Sequence, residues 1–363
     1  MMIKHSLLAL ALSLASTNAI TITEDTIQRG TINVDIGGVI IAPGVYWSII
    51  NNALTTIAGS LTVGAGSGFY VSSTSDLVGL TVGLAGVLNE IQNDGIIAFN
   101  SLKSLTAPTY QLVGARFNND GQMYLGGDGS VGVPIMSLTA ADWTNNGFLS
   151  FYQNTRSGGV VTLGALLPIT NNGQICLFNE AYVQSSPVRG SGCITVGEES
   201  TVWIQNSLLS FSEDQTIYLE SPSSAIRVEA LSLSQTFTVE GFGNGNLIGL
   251  SLPLNLDTIL TKPYVYNAAT GVLTLNSGLL TQNFHIGTGY NPNLFEVVNA
   301  NYGGLITIVL NGGVIYNGPP PAAGAPAACQ PCSTFPEAPG TSTTSSASSS
   351  STAPPSSSAP TSI

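Results

Sequence analysis

Charge is what this sequence has least of. Of 363 residues only 8 are Lys or Arg and 20 are Asp or Glu, leaving a net charge of −12. So few cations, outnumbered by anions, provide no electrostatic route to phosphate backbones or to anionic lipid, which excludes nucleic acid as a partner. The charged fraction of 8% also excludes long solvent-exposed helices, whose faces are built from Glu and Lys in periodic blocks. What remains is rich in Gly, with 41, and in β-branched residues, the composition of sheets joined by tight turns.

Other absences narrow the field. Only Leu7 to Leu14 forms a marked apolar run, too short to span a bilayer, so no direct membrane insertion is expected. Behind Lys4 and His5 and ahead of Thr17-Asn18-Ala19, it reads as a secretory signal over residues 1–19, with an uncleaved anchor as the rival. There is no N-x-[ST] acceptor for N-glycosylation. With His285 the one histidine of the mature chain, a zinc site is not expected and no cofactor is called for.

Against these gaps stands a repeat. Asn93-Asp94-Gly95, Asn119-Asp120-Gly121, Asn145-Asn146-Gly147 and Asn171-Asn172-Gly173 place their glycines 26 residues apart, three times in succession. Two positions after each Gly come Ile97, Met123, Leu149 and Ile175; four after come Phe99, Leu125, Phe151 and Leu177; four before come Ile91, Phe117, Trp143 and Ile169. Apolar columns separated by mixed positions are the inward and outward faces of strands, and a fixed period of this size marks a solenoid. The expectation is a parallel β-helix over residues 20–199, with Asn-Gly corners taking positive φ and amides bonding from rung to rung. A chain of hairpins is the alternative. Residues 59–63 read as a degenerate rung and 192–196 as a late one.

After about residue 200 the period is lost while strand-like runs continue, so a β-sandwich-like domain is expected over 200–317, capping the open solenoid end. Residues 318–363, first Pro/Ala and then Ser/Thr-rich, cannot bury enough apolar surface to fold and read as a disordered, O-glycosylated stalk.

Four cysteines in a secreted chain imply disulfides. Cys176 and Cys193 take outward parity on their rungs, whereas Cys329 and Cys332 sit in the Pro-rich segment. Scaffold-to-tail pairing is favoured, with Cys176–Cys193 and Cys329–Cys332 as the open alternative. The Cys-x-x-Cys opens no helix of thioredoxin type. Asp94 and Asp120 share a column and could serve as an acid/base pair, but Asn146 and Asn172 continue that column, which favours a turn role. His285 has no nucleophile elbow and reads as structural. Gly241-Phe242-Gly243-Asn244-Gly245 has no β-α-β context, and Gly126-Gly127-Asp128-Gly129 occurs once, without a calcium repeat. Tyr124, Phe148 and Tyr152 point outward and could stack on a sugar or peptide.

The segments 239–250 (VEGFGNGNLIGL), 266–275 (YNAATGVLTL) and 286–290 (IGTGY), together with the Asn-Asp-Gly rungs and the Ser/Thr tail, resemble the N-terminal domain of the hyphally regulated cell-wall proteins, the Hyr/Iff-type adhesins of yeasts. The resemblance spans roughly 20–317. It implies a right-handed β-helix followed by a β-sandwich, display on a glycosylated, GPI-derived stalk at the fungal cell wall, contact with cell-wall polysaccharide, roles in adhesion, biofilm and virulence, and no catalytic residues. The 363 residues contain no apolar tail of the kind a GPI signal needs, so either a fragment or a released protein is expected. The expected function is a non-enzymatic surface adhesin binding an undefined glycan or protein ligand. The alternatives are a carbohydrate-active β-helix enzyme and a structural wall spacer.

Overall fold

A computed structural model describes residues 19–30, 35–165, 167–205, 209–231, 234–303 and 308–341. The expected signal at 1–19 therefore lies almost wholly outside the described residues, as does the stalk from 342 onward. The described chain is a β-solenoid. One sheet stacks ten parallel strands in chain order, from Thr26–Arg29 through Ile96–Ser101, Gln122–Gly127, Phe148–Gln153 and Gln174–Phe178 to Thr236–Glu240. The rest of each coil forms the second sheet, and in two coils a single long strand, Thr109–Asn119 or Ile135–Asn145, covers its whole width.

The register is the one the repeat dictates. Asn93 pairs with Asn119, Asn119 with Asn145, and Asn145 with Asn171. Ile97, Met123, Leu149 and Ile175 stack as one column, each at most 1% exposed. Trp143 and Phe117 stack in another, ring centroids 5.0 Å apart. Stacking like on like fills the interior with side chains about 4.8 Å apart along the axis. Leu61–Val63 and Cys193–Val196 are rungs as expected.

The corners correct one expectation. Gly95, Gly121, Gly147 and Gly173 do not take positive φ. They are glycine because backbone lies on backbone: a Cβ on Gly121 would meet the Gly95 carbonyl oxygen at 2.1 Å, and one on Gly147 would meet that of Gly121 at 2.0 Å. The leading asparagines form a buried amide ladder, Asn93 donating to Asn119 (2.6 Å), Asn119 to Asn145 (2.7 Å) and Asn145 to Asn171 (2.8 Å).

The expected change of architecture at residue 200 is also corrected. Thr216 pairs in parallel with Cys193 and Thr238 with Thr216, while Leu247–Leu250 adds a parallel strand to Ala225–Val228. Residues 200–250 are thus further rungs, not a sandwich. Parallel pairing requires register but no constant coil length, and here the coils shorten to 19, 23 and 22 residues at Gln174↔Cys193, Cys193↔Thr216 and Thr216↔Thr238. Only beyond Leu250 do antiparallel strands appear. Tyr264–Asn267, Val272–Ser277 and Leu280–His285 extend one sheet; Phe295–Ala300 and Val309–Tyr316 extend the other. Phe242, Tyr290, Phe295 and Tyr316 plug the core at this end, with ring centroids 4.8–6.3 Å apart. The Arg227 guanidinium lies 4.4 Å from the Trp203 ring and 5.2 Å from that of Tyr302, holding the segment after Ala300 to the last rungs.

Candidate functional site

The outer face of the ten-stranded sheet is where the outward-parity residues converge, and the tail covers it. Beyond Asn317 the chain turns back. Pro320 lies against Gly243, where a Cβ would meet the proline nitrogen at 2.7 Å. Cys329 is bonded to Cys193 and Cys332 to Cys176. Gln330 N donates to Gln174 Oε1 (2.8 Å), Ser48 Oγ donates to Pro339 O (2.8 Å), and the Arg29 guanidinium donates to Gly340 O. From Cys329 to Gly340 the strap crosses seven strand spacings, roughly 34 Å. Eleven extended residues reach roughly 36–40 Å, so the strap is nearly taut and runs against the direction of winding.

This path places the predicted site residues. Cys176 and Cys193 do face outward, yet both are fully buried, because the strap and not the core encloses them. Tyr124 and Phe148 are 2% and 6% exposed beneath it, which removes them as a free stacking surface. Phe335 packs on Tyr124, centroids 5.4 Å apart, in space left by the missing Cβ of Gly126. Tyr152 alone of the three stays half-exposed, tilted against Phe178 at 5.8 Å. The expectation of disorder from 318 is thus corrected for 318–341: two disulfides, the burial of Ala338 and Cys329 and the partial burial of Phe335 hold a segment whose composition alone would not fold.

Asp94 and Asp120 are exposed at the corner, and their oxygens are engaged in an outer ladder. Asp94 accepts from Gln92, and Asp120 accepts from Asn118 (2.7 Å) and Asn146 (2.8 Å), while Asn172 donates to Asn146 (3.0 Å). This is the turn role. His285 is exposed on the outer face of its strand. Asp128 accepts from Ser130 within its own turn and from Asn154 Nδ2 (2.9 Å) of the next coil. Among the described residues no three His, Cys, Asp or Glu side chains are grouped to hold a metal, and no helix is long and apolar enough to cross a membrane.

One ionisable group escaped sequence reasoning. Glu180 is 1% exposed at a corner, and burial pushes its carboxyl up to about 8, against the opposing pull of a Gln153 hydrogen bond and the Arg156 charge. Arg156 itself donates to Gly303 O (3.0 Å) and Gly159 O (3.2 Å). A carboxyl this enclosed has no access to a polymer substrate, and its effect falls on stability. Nothing in the local pattern marks it, and the neighbouring Arg156 is itself bonded to Gly303, 147 residues further along the chain.

Comparison with known proteins places this architecture. The family profile described as hyphally regulated cell wall protein N-terminal matches residues 10–339. The chain belongs to that family. Among its relatives in Candida albicans, Cell wall protein RBR3 is 49% identical over 335 residues, covering 92% of this chain and 21% of the relative. Hyphally regulated cell wall protein 3 is 47% identical over 343 residues, covering 94% and 27%, and Cell wall protein IFF9 is 45% identical, covering 94% and 36%. The chain therefore spans between about a fifth and about a third of the length of these relatives. The family match runs to the last residues of the strap, so the domain includes the segment that composition alone would assign to a stalk.

Proposed function

We propose that this chain is a non-enzymatic surface module of the fungal cell wall, secreted and displayed outward to mediate adhesion to other cells, host surfaces or substrates. Its relatives' names place them in the cell wall. The observation that carries the adhesive reading is the direction of the strap. Because the tail returns from the capped end to the first rungs, the described chain ends at residue 341 beside Arg29, at the opposite end of the rod from the aromatic plug. A rod held by that tail stands with its cap outward and its flanks free, facing a glycan or protein partner. The engagement of Asp94 and Asp120 in the corner ladder favours this over polysaccharide cleavage.

The test is a bead assay. Beads bearing the full chain through its C-terminus are expected to adhere saturably to epithelial or yeast cells, and to do so better than beads bearing it through the capped end. Adhesion no greater than that of bare beads in both orientations would overturn the reading in favour of a structural spacer. Release of reducing sugar from wall polysaccharide, lost in Asp94→Asn or Asp120→Asn, would overturn it in favour of an enzyme.

A further inference from the structure

The strap does not lie flush along its whole length. Beside the Cys176–Cys332 bridge it leaves a cavity of about 310 Å3 between itself and the sheet. Three aromatic rings line it: Tyr152 and Phe178 from successive strands, and Phe335 from the strap. Glycines make this row possible. Phe335 sits where Gly126 leaves space, and Phe178 lies over Gly197, where a Cβ would meet its ring at 2.5 Å. Around the rings stand Ser150, Asn154 and Thr334. Asn154 Nδ2 is fixed by donation to Leu102 O (2.7 Å) and Asp128 Oδ2 (2.9 Å), which sets the amide and leaves Oδ1 as an acceptor.

No charged side chain is among the described residues lining this cavity. Three other cavities differ: one is rimmed by Asp94 and Asp120, one by Lys103 and Glu337, and one by Glu220. Aromatic faces with neutral hydroxyl and amide groups suit a ligand that presents apolar C–H faces and uncharged hydroxyls together. The volume lies at the small end for ligand pockets, which suits a short ligand better than an extended peptide.

We infer that this cavity is a binding site for a neutral hexopyranose, one or two rings at the end of a glycan. One ring face stacks on Tyr152 and Phe178, and its hydroxyls meet Asn154, Ser150 and Thr334. The inference deepens the adhesion reading and rests on it for its role, while the binding itself is measured without cells. The disulfide is part of the site, because Cys332 sets the strap wall at the distance the ring requires.

Ligand-observed NMR and calorimetry on the full chain, with glucose, mannose, galactose and N-acetylglucosamine and their disaccharides as probes, test this directly. At least one is expected to bind saturably. Tyr152→Ala and Phe178→Ala should each weaken it about tenfold, the loss of one stacking partner, while Tyr152→Phe should keep most of it. Thr334→Trp, at an exposed strap position, should block the mouth with the fold intact by circular dichroism and melting. Failure of every probe to bind, binding unchanged in Tyr152→Ala and Thr334→Trp, or displacement of the sugar by a proline-rich peptide that binds more tightly would overturn the site. Adhesive beads without sugar binding would sink this inference alone, and sugar binding without bead adhesion would sink only the adhesion reading.

Discussion

Two stretches of the solenoid solve one packing problem differently. From Asn93 to Leu177 the coils are 26 residues long and their corners are identical, glycine on glycine with an asparagine beneath. From Cys193 to Leu250 the coils shorten and the asparagines cease. The transition is handled by one side chain. The corner at Arg189-Gly190-Ser191-Gly192 has no asparagine, and Gln215, one coil later, reaches across it: Asn171 Nδ2 donates to Gln215 Oε1 (2.9 Å), and Gln215 Nε2 donates to Asn171 O and to Arg189 O (3.2 Å). Gly192 still continues the stack, since a Cβ there would meet the Gly173 oxygen at 2.3 Å. Backbone stacking is therefore the constant, and the ladder of equal side chains is one way of satisfying the groups beneath it.

The two disulfides straddle this transition, Cys176 in the last regular coil and Cys193 in the first short one. Replacing Cys329 and Cys332 by Ser should therefore have the largest effect. Either bridge alone closes a loop of 156 or 136 residues, worth roughly 5 kcal/mol in the chain-entropy model, and the second, closing only the short remaining ring, adds less. The urea midpoint should fall accordingly, and Tyr124 and Phe148 should become accessible to quenchers. An unchanged midpoint would mean that the strap holds neither stretch.

Next in size is a methyl group at a regular corner. Gly147→Ala drives a Cβ into backbone on the facing rung and should cost about 3 kcal/mol or more, whereas Gly158→Ala, with nothing within 4 Å, should cost almost nothing. Equal melting temperatures for the two variants would break the account of the corners. A smaller effect for each unit of pH should appear at Glu180, just past the last regular coil. Its folded pKa of about 8 stands above the ordinary carboxyl value of 4.5, so its stabilising share is complete below about 4.5 and lost as pH rises to 8. The slope is at most about 1.4 kcal/mol per pH unit. Urea midpoints measured between pH 5 and 8 should decline less steeply in Glu180→Gln than in the parent chain. The smallest effect belongs to Asp120→Asn, which keeps a carbonyl oxygen for Asn146 and should leave the melting temperature unchanged.

The regular stretch was legible because identical packing problems recur at a fixed spacing: Asn119 and Gly121 announce a corner, and Met123 and Leu125 an inward face. Outward parity also placed Cys176 and Cys193 correctly. Beyond Cys193–Val196 the short coils were illegible as coils because Gln215 does the work of an asparagine from a different position, so no tripeptide repeats. The reason for the corner glycines lay in the neighbouring rung and not in their own φ. The covering of Tyr124 and Phe148 depends on Phe335 and Ala338, some two hundred residues away in a segment whose composition suggests no structure. The cavity has the same origin: Tyr152 was visible as an outward aromatic, but the Phe335 wall facing it across the cavity exists only once the strap is bonded.

The strap's reversed course also sets where tension travels. A pull on residue 341 enters beside Arg29 and peels Gly340, Pro339 and Phe335 from the sheet in turn, small contacts that yield one after another. It then arrives at Cys332, where a covalent bond passes it to Cys176 and onward to the cap. The coils before Gln174 stand outside the loaded line, so a pull on residue 341 would unzip a short leader and leave those rungs wound.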